Sequence, residues 1–155
     1  WQGGWVAGSV GCYLSATPLV SGLEVSAGWG FLNTEFRNGT DAFTDAVLEG
    51  NRTPFTLNLT DNVAAQYRSE NSFFGRLEVI EFGNTFLNDL NTVEREAFAL
   101  AHLRLGYEYE DYGFSAFVNN LFDTEYATQI FELSTGTVGT FGALRTFGVQ
   151  VRAKF

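Results

Sequence analysis

The side chains here with the means to do chemistry are one histidine, a few carboxylate pairs and one thiol. His102 is the single histidine. A catalytic histidine needs a nucleophile within reach and an acid to orient it. No Gly-x-Ser-x-Gly stretch accompanies it. A barrel hydrolase such as a lipase is the enzyme that would use it; a polar residue on the wet face of a strand is the reading its neighbours Ala101 and Leu103 favour. Glu108 and Glu110 share a strand face, and Glu94 and Glu96 flank Arg95. Carboxylates at the right separation hydrolyse glycosides, but these read as a wet wall and a loop. Asp41, Asp45 and Glu49 offer oxygens to a hard cation, yet their spacing is not that of an EF-hand loop, so they read as a solvated acidic loop. Cys12, the only cysteine, excludes an internal disulfide and a cysteine-based zinc site, and reads as a lone buried thiol. Asn38-Gly-Thr40, Asn51-Arg-Thr53 and Asn58-Leu-Thr60 match the glycosylation sequon, a match ascribed to chance. No glycine-rich phosphate cradle is present. The expectation is no enzyme, no metal and no cofactor.

What must then be explained is the frame on which these residues sit. The 155 residues suffice for one domain. With 16 Phe, 6 Tyr, 3 Trp and 45% hydrophobic residues, disorder is excluded. The net charge is -9 with a single lysine, Lys154, which excludes nucleic acid as a partner, since phosphates need Lys and Arg. No apolar run approaches the roughly 20 residues of a membrane-spanning helix. Met is absent, so Trp1 is not a natural start, and no secretory leader is visible; a mature or excised chain would look the same.

Period-two alternation recurs along the chain, and helical periodicity is nearly absent. It predicts strands over 11–16, 23–36, 56–68, 73–86, 97–110, 114–120 and 147–155. In the fifth, Ala99, Ala101, Leu103, Leu105, Tyr107 and Tyr109 oppose His102, Arg104, Gly106, Glu108 and Glu110. In the last, Phe147, Val149, Val151, Ala153 and Phe155 oppose Gly148, Gln150, Arg152 and Lys154. Asp61 interrupts the apolar face of the third. Gly30, Gly83 and Gly106 read as sites of close packing or bends. The connections over 17–22, 37–55, 69–72, 87–96, 111–113 and 121–142 alternate between short and longer. Ser-Glu-Asn-Ser at 69–72 and Glu-Asp-Tyr-Gly at 110–113 are tight-turn chemistry. Short turns on one rim and long loops on the other are the build of an outer-membrane barrel.

Alternation does not say which face meets lipid. A soluble barrel hides its apolar face inside, and a membrane barrel shows it. Long strands, aromatics near strand ends (Tyr67, Phe73, Tyr107, Tyr109, Phe114, Phe155) and a charged, amide-rich opposite face favour the membrane.

The stretch Val118-Asn-Asn-Leu-Phe-Asp-Thr-Glu-Tyr126 resembles a signature of TonB-dependent outer-membrane receptors, carried by Asn120, Leu121, Phe122, Asp123 and Tyr126. The end of the chain, Gly142-Ala-Leu-Arg-Thr-Phe-Gly-Val-Gln-Val-Arg-Ala-Lys-Phe155, resembles the family's last strand through Arg145, Gly148 and Phe155. Leu144 departs from the family, which often has Pro before that Arg. Leu23-Glu-Val-Ser-Ala-Gly-Trp29 resembles an earlier strand. The resemblance is strongest over 97–155. It implies that 1–155 is the C-terminal portion of an antiparallel up-and-down transmembrane β-barrel, all-β, with seven strands out of about 22, and with the plug domain and energy-coupling box lying elsewhere. It implies the Gram-negative outer membrane, with membrane lipid, a bulky nutrient such as a ferric siderophore, the TonB energy-coupling protein and the barrel-assembly machinery as partners. Phe155 is then the signal for that machinery, a simple interface anchor, or both. With Phe155 at the periplasm, the connections over 37–55, 87–96 and 121–142 lie outside the cell.

From the residues themselves, Asn119 and Asn120 end a strand, Asp123 suits a local side-chain-to-backbone turn, and Gly148 admits a close neighbour. By position, Arg37, Arg52, Arg95, Phe131 and Phe141 are candidate ligand contacts. Two alternatives stay open: a complete small barrel of eight strands with a structural or adhesion role, its eighth strand within 40–53, and a soluble ligand-binding barrel.

Overall fold

Residues that alternate in polarity build a sheet with two unlike faces. The computed structural model describes residues 4–16, 20–41, 44–133 and 136–154. Among them the strands are β1 (Trp5–Ala16), β2 (Leu23–Phe36), β3 (Leu59–Arg68), β4 (Phe73–Phe82), β5 (Thr85–Phe86), β6 (Glu94–Arg95), β7 (Phe98–Tyr109), β8 (Tyr112–Asn119), β9 (Ala127–Leu133), β10 (Gly136–Phe141) and β11 (Thr146–Ala153). Seven form one sheet in the order β1-β2-β3-β4-β7-β8-β11, each antiparallel to the next. It is an up-and-down meander, all-β, and it is open: β1 and β11 are its two edges.

The register fixes the faces. One row of paired positions runs Ala16, Val25, Ala65, Leu77, Leu103, Val118 and Phe147 across all seven strands. Every member is apolar. The apolar face is the exposed one: Phe147 is 82% exposed, Val149 81% and Leu14 68%. A water-soluble barrel would hide such a face. Phe73 and Tyr107 pair across β4 and β7, their rings 4.7 Å apart, near the short-turn end. Cys12 pairs with Trp29 and is exposed on this same face. This corrects the expectation of a buried thiol: its strand parity turns it outward onto the exposed apolar face.

The most deeply buried large side chains lie elsewhere. Leu48 is 1% exposed, and Phe36 and Leu87 are also buried, all in or beside the long loops. The first two long loops are sewn together by backbone and side chain. Phe55 donates to the Phe86 carbonyl, Thr85 Oγ1 to the Thr56 carbonyl at 2.9 Å, and Asn51 Nδ2 to the Asp89 carbonyl at 2.9 Å. Asn91, at a left-handed φ of 55°, grips both backbone groups of Arg52. Its Oδ1 accepts from the Arg52 N–H at 2.7 Å, and its Nδ2 donates to the Arg52 carbonyl at 2.9 Å. Asn91→Ala removes both bonds and places alanine where it is strained. The expected cost is about 2–3 kcal/mol, read as faster proteolytic nicking in 44–58 and 87–93 with the sheet intact.

Three boundaries differ from the sequence reading by three residues or more. β1 begins at Trp5, since its pairing with β2 continues to Phe36. β4 ends at Phe82, because Gly83 sits against Leu59, where an added Cβ would lie 2.9 Å from the Leu59 carbonyl oxygen. Positions 56–58 leave β3 to join the loop layer. The long connection over 121–142 holds a hairpin, β9 with β10, that alternation did not reveal. Within 40–53 the described residues make only an isolated bridge between Thr40 and Val47, and no eighth strand. Phe155 lies outside the described residues.

Candidate ligand-facing wall

Even-numbered positions of β7 project onto the polar face, and they organise it. Near the short-turn end, Glu108 is held by two arginines, Arg68 from β3 and Arg152 from β11, the latter at 3.3 Å. One row further in, Gln66, Arg76, Arg104, Phe117 and Gly148 follow one another across β3, β4, β7, β8 and β11. Arg76 pairs with Glu78 at 3.0 Å, and the Arg104 guanidinium lies 5.7 Å from the centroid of the Phe117 ring. His102 is the partner of Glu78 in the next row. Half-exposed pairs of this kind add about 0–1 kcal/mol each. On the polar face four arginines (Arg68, Arg76, Arg104, Arg152) stand among three glutamates (Glu24, Glu78, Glu108), so this wall is nearly balanced in charge although the chain's net charge is -9. Two glycines admit aromatic rings to this wall. Phe74 lies against Gly106, and Phe117 over Gly148, where an added Cβ would come within 2.7 Å of the ring. Gly30, expected to mark close packing, has only the Thr60 carbonyl at 3.8 Å.

Near the long-loop end the wall is aromatic. The Phe82 and Phe98 rings stack at 5.0 Å, and Tyr126 stacks on Phe98 at 4.4 Å. The Arg95 guanidinium lies 5.0 Å from the Phe98 centroid, and that of Arg52 lies 5.7 Å from Phe86. Arg52 Nε and Nη2, and Arg95 Nε, are buried without a hydrogen-bond partner among the described residues. Burial lowers the Arg95 pKa from the ordinary arginine value. Cationic donors without acceptors, set on rings, suit an anionic ligand with a flat face.

The Asn-Leu-Phe-Asp-x-x-Tyr stretch is a clasp. Asn120 is 3% exposed and sits at a left-handed φ of 51°. Its Oδ1 accepts from the Thr124 N–H at 2.8 Å. Its Nδ2 donates to the Thr124 carbonyl at 2.8 Å and the Ala143 carbonyl at 3.2 Å. The local turn expected at Asp123 is therefore made by Asn120. Asp123 reaches across the loop instead, accepting from the Arg145 N–H at 2.7 Å, with the Arg145 guanidinium 3.8 Å away. Leu121 N–H donates to the Ala101 carbonyl. Tyr126 packs on Gly142, where no Cβ fits. Phe122 is exposed. The motif thus closes the base of the last long loop and sets Tyr126 in the aromatic stack.

Of the candidate contacts, Arg52 and Arg95 come to this aromatic end. Arg37 is exposed at the start of the first long loop, its N–H donating to the Gly4 carbonyl. Phe141 ends β10, 72% exposed. Phe131 lies in β9, its side chain outside the described residues. Asp41 Oδ1 accepts from the N–H and hydroxyl of Thr44, both at 2.8 Å, so it closes a loop turn. The Phe82–Phe98–Tyr126 stack escaped sequence reasoning, because it joins three elements whose mutual register no local pattern states.

No family model matches the chain. Solved structures do. The ferric yersiniabactin uptake receptor FyuA from Yersinia pestis matches over 99% of this chain and 24% of its own, at a TM-score of 0.84 and 22% identity. The siderophore receptor PiuA from Acinetobacter baumannii matches over 96% of this chain and 22% of its own, at 0.79 and 16% identity. The ferric-catecholate import receptor Fiu from K12 E. coli matches over 92% and 20%, at 0.71 and 23% identity. The chain spans about a fifth to a quarter of the length of these receptors. Its fold matches their C-terminal barrel region.

Proposed function

We propose that this chain is the C-terminal barrel wall of a TonB-dependent receptor in the outer membrane of a Gram-negative cell, taking up a bulky anionic nutrient of the ferric-siderophore kind. The observation that carries this reading is the seven-strand row of apolar residues on the exposed face, backed by a charged face in the fold of siderophore receptors. A lipid-facing outside and a wet lumen follow from it. The polar face then lines the lumen, and the sewn loops lie above it, outside the cell. A plug domain in the lumen, the TonB protein that energises it and the barrel-assembly machinery belong to the same proposal, as does Phe155 as the assembly signal. Transport is binding and conformational release, so no catalytic group is required, and none is assigned.

The ligand meets Arg52, Arg95 and the Phe82–Phe98–Tyr126 stack first, with Arg37, Phe131 and Phe141 as further loop contacts. The test is uptake of radiolabelled iron on hydroxamate, catecholate and carboxylate siderophores by cells whose only receptor is the full-length chain. One class should support uptake, and only with TonB present; uptake of none of them would sink the proposal. With the ligand in hand, Arg52→Ala and Arg95→Ala should each weaken binding about tenfold or more, the scale of a lost hydrogen bond to a charged group. Equilibrium titration with the purified receptor reads this, and unchanged affinity in both would move the site elsewhere.

A further inference from the structure

The exposed face is not smooth. Near the short-turn end a groove of about 830 Å³ runs over β3, β4, β7, β8 and β11. Gly75, Leu105 and Ala116 form its floor, since two small residues on either side of Leu105 in one cross-strand row leave a dent between larger ones. Tyr67, Phe73 and Phe114 are among its walls, each about half exposed. Its lining is almost wholly apolar. The turns beside it are acidic. Glu70 lies in the turn between β3 and β4, and Glu110 and Asp111 form the turn between β7 and β8. All three are exposed, and none has an ion pair among the described residues. Lys154 lies beside them, its N–H donating to the Asp111 carbonyl, while Arg68 and Arg152 at the same end are taken up by Glu108 on the polar face.

We infer that this groove holds one acyl chain of a phospholipid whose headgroup carries a free amine, an ethanolamine lipid, with the ammonium at the acidic rim. The inference rests on the proposed membrane orientation and goes beyond it. A uniform apolar band needs only fluid lipid around it, whereas a dent rimmed by aromatics gives a chain more contact than its neighbours have. Counting the Glu108 cluster at the same end, four carboxylates (Glu70, Glu108, Glu110, Asp111) against Arg68, Arg152 and Lys154 leave a net negative charge, which favours a headgroup whose phosphate is balanced by an ammonium over one with the phosphate alone. The headgroup is thereby selected by charge and the tail by shape.

The test uses the full-length chain, reconstituted in bilayers of equal parts phosphatidylethanolamine and phosphatidylglycerol. It is then extracted in mild detergent, and the lipid that stays bound is weighed by native mass spectrometry. Phosphatidylethanolamine should be retained about two- to fivefold over phosphatidylglycerol, the scale of one exposed ionic contact. Ala116→Phe, which fills the floor from an exposed position, should lose the retained lipid. The triple variant Glu70→Gln, Glu110→Gln, Asp111→Asn should keep a lipid and lose the preference. The triple variant alters only solvent-facing turns, so it decides the headgroup claim even if Ala116→Phe does not fold. Equal retention of both lipids, a preference for phosphatidylglycerol, or a preference unmoved by the triple change would each overturn the inference while leaving the membrane reading intact. A full-length chain that does not enter bilayers at all would overturn both.

Discussion

Leu103→Arg should prevent the full-length chain from inserting stably into a bilayer, while Ser115→Arg, three rows away and on the opposite face, should be tolerated. Leu103 sits in the apolar row shared by all seven strands. It lies four residues along β7 from Tyr107. At about 3.4 Å per residue and a strand tilt near 40°, that is roughly 10 Å above the aromatic rim, close to the middle of a band about 25 Å tall. An arginine there costs about 2–4 kcal/mol, a large share of a net stability of about 5–15 kcal/mol. Ser115 pairs with Gly106 and Gln150 on the polar face, where a guanidinium stays wet. The measurement is urea titration of the chain folded into vesicles, alongside the mobility shift between heated and unheated samples in gels. A Leu103→Arg protein as stable as the parent, with Ser115→Arg the damaging change, would mean that the two faces have been exchanged and that the barrel is a soluble one.

Asn120→Ala is expected to cost about 4–5 kcal/mol and to loosen the last long loop. Three hydrogen bonds vanish with the side chain, at about 1 kcal/mol net each when the partners are left buried. Alanine also suffers about 1–2 kcal/mol at a left-handed φ. Asn120→Gly separates the two contributions, for glycine adopts that conformation freely and loses only the hydrogen bonds. The glycine variant should therefore lie about 1 kcal/mol above the alanine variant in stability. The same titration reads both, and protease sensitivity within 121–144 reads the loop. Ligand binding should fall as well, because the clasp places Tyr126 against Phe98. A fully stable Asn120→Ala with a protected loop would show that the motif is not what closes the loop base.

Alternation was enough to locate the seven strands of the sheet and to sort their residues by face, because strand period is strictly two and one face had to be apolar. Turn chemistry was equally legible: Ser72 and Glu110 take left-handed φ values of 68° and 49° within the two tightest turns, where short polar segments had been expected. The hairpin of β9 and β10 stayed hidden, since its ladder stands out from the sheet and Ala127 to Phe141 need not alternate to satisfy a buried face. The roles of Asn120 and Asp123 were half legible. That both belong to a loop closure followed from residue type, but which partner each takes depended on where Ala143 and Arg145 return.

The candidate site divides along the same line. Arg52 and Arg95 were picked by loop position, yet what distinguishes them, a ring beneath each guanidinium and donors without acceptors, is a matter of loop packing. Arg68, Glu108 and Arg152 carry the right parity in the sequence, but 40 and 44 residues separate the two pairs. What the sequence determined by itself was local: strand identity, face polarity, turn positions and the absence of any self-contained catalytic pattern, all set by neighbours within a few residues. What only the tertiary structure decided was register across the long connections: the Glu108 clamp, the aromatic stack, the sewn loops and the outer groove. The physical reason is that a loop of ten or more residues closes at almost the same entropic cost over many lengths and paths, so its sequence does not state which residues face one another when the strands meet.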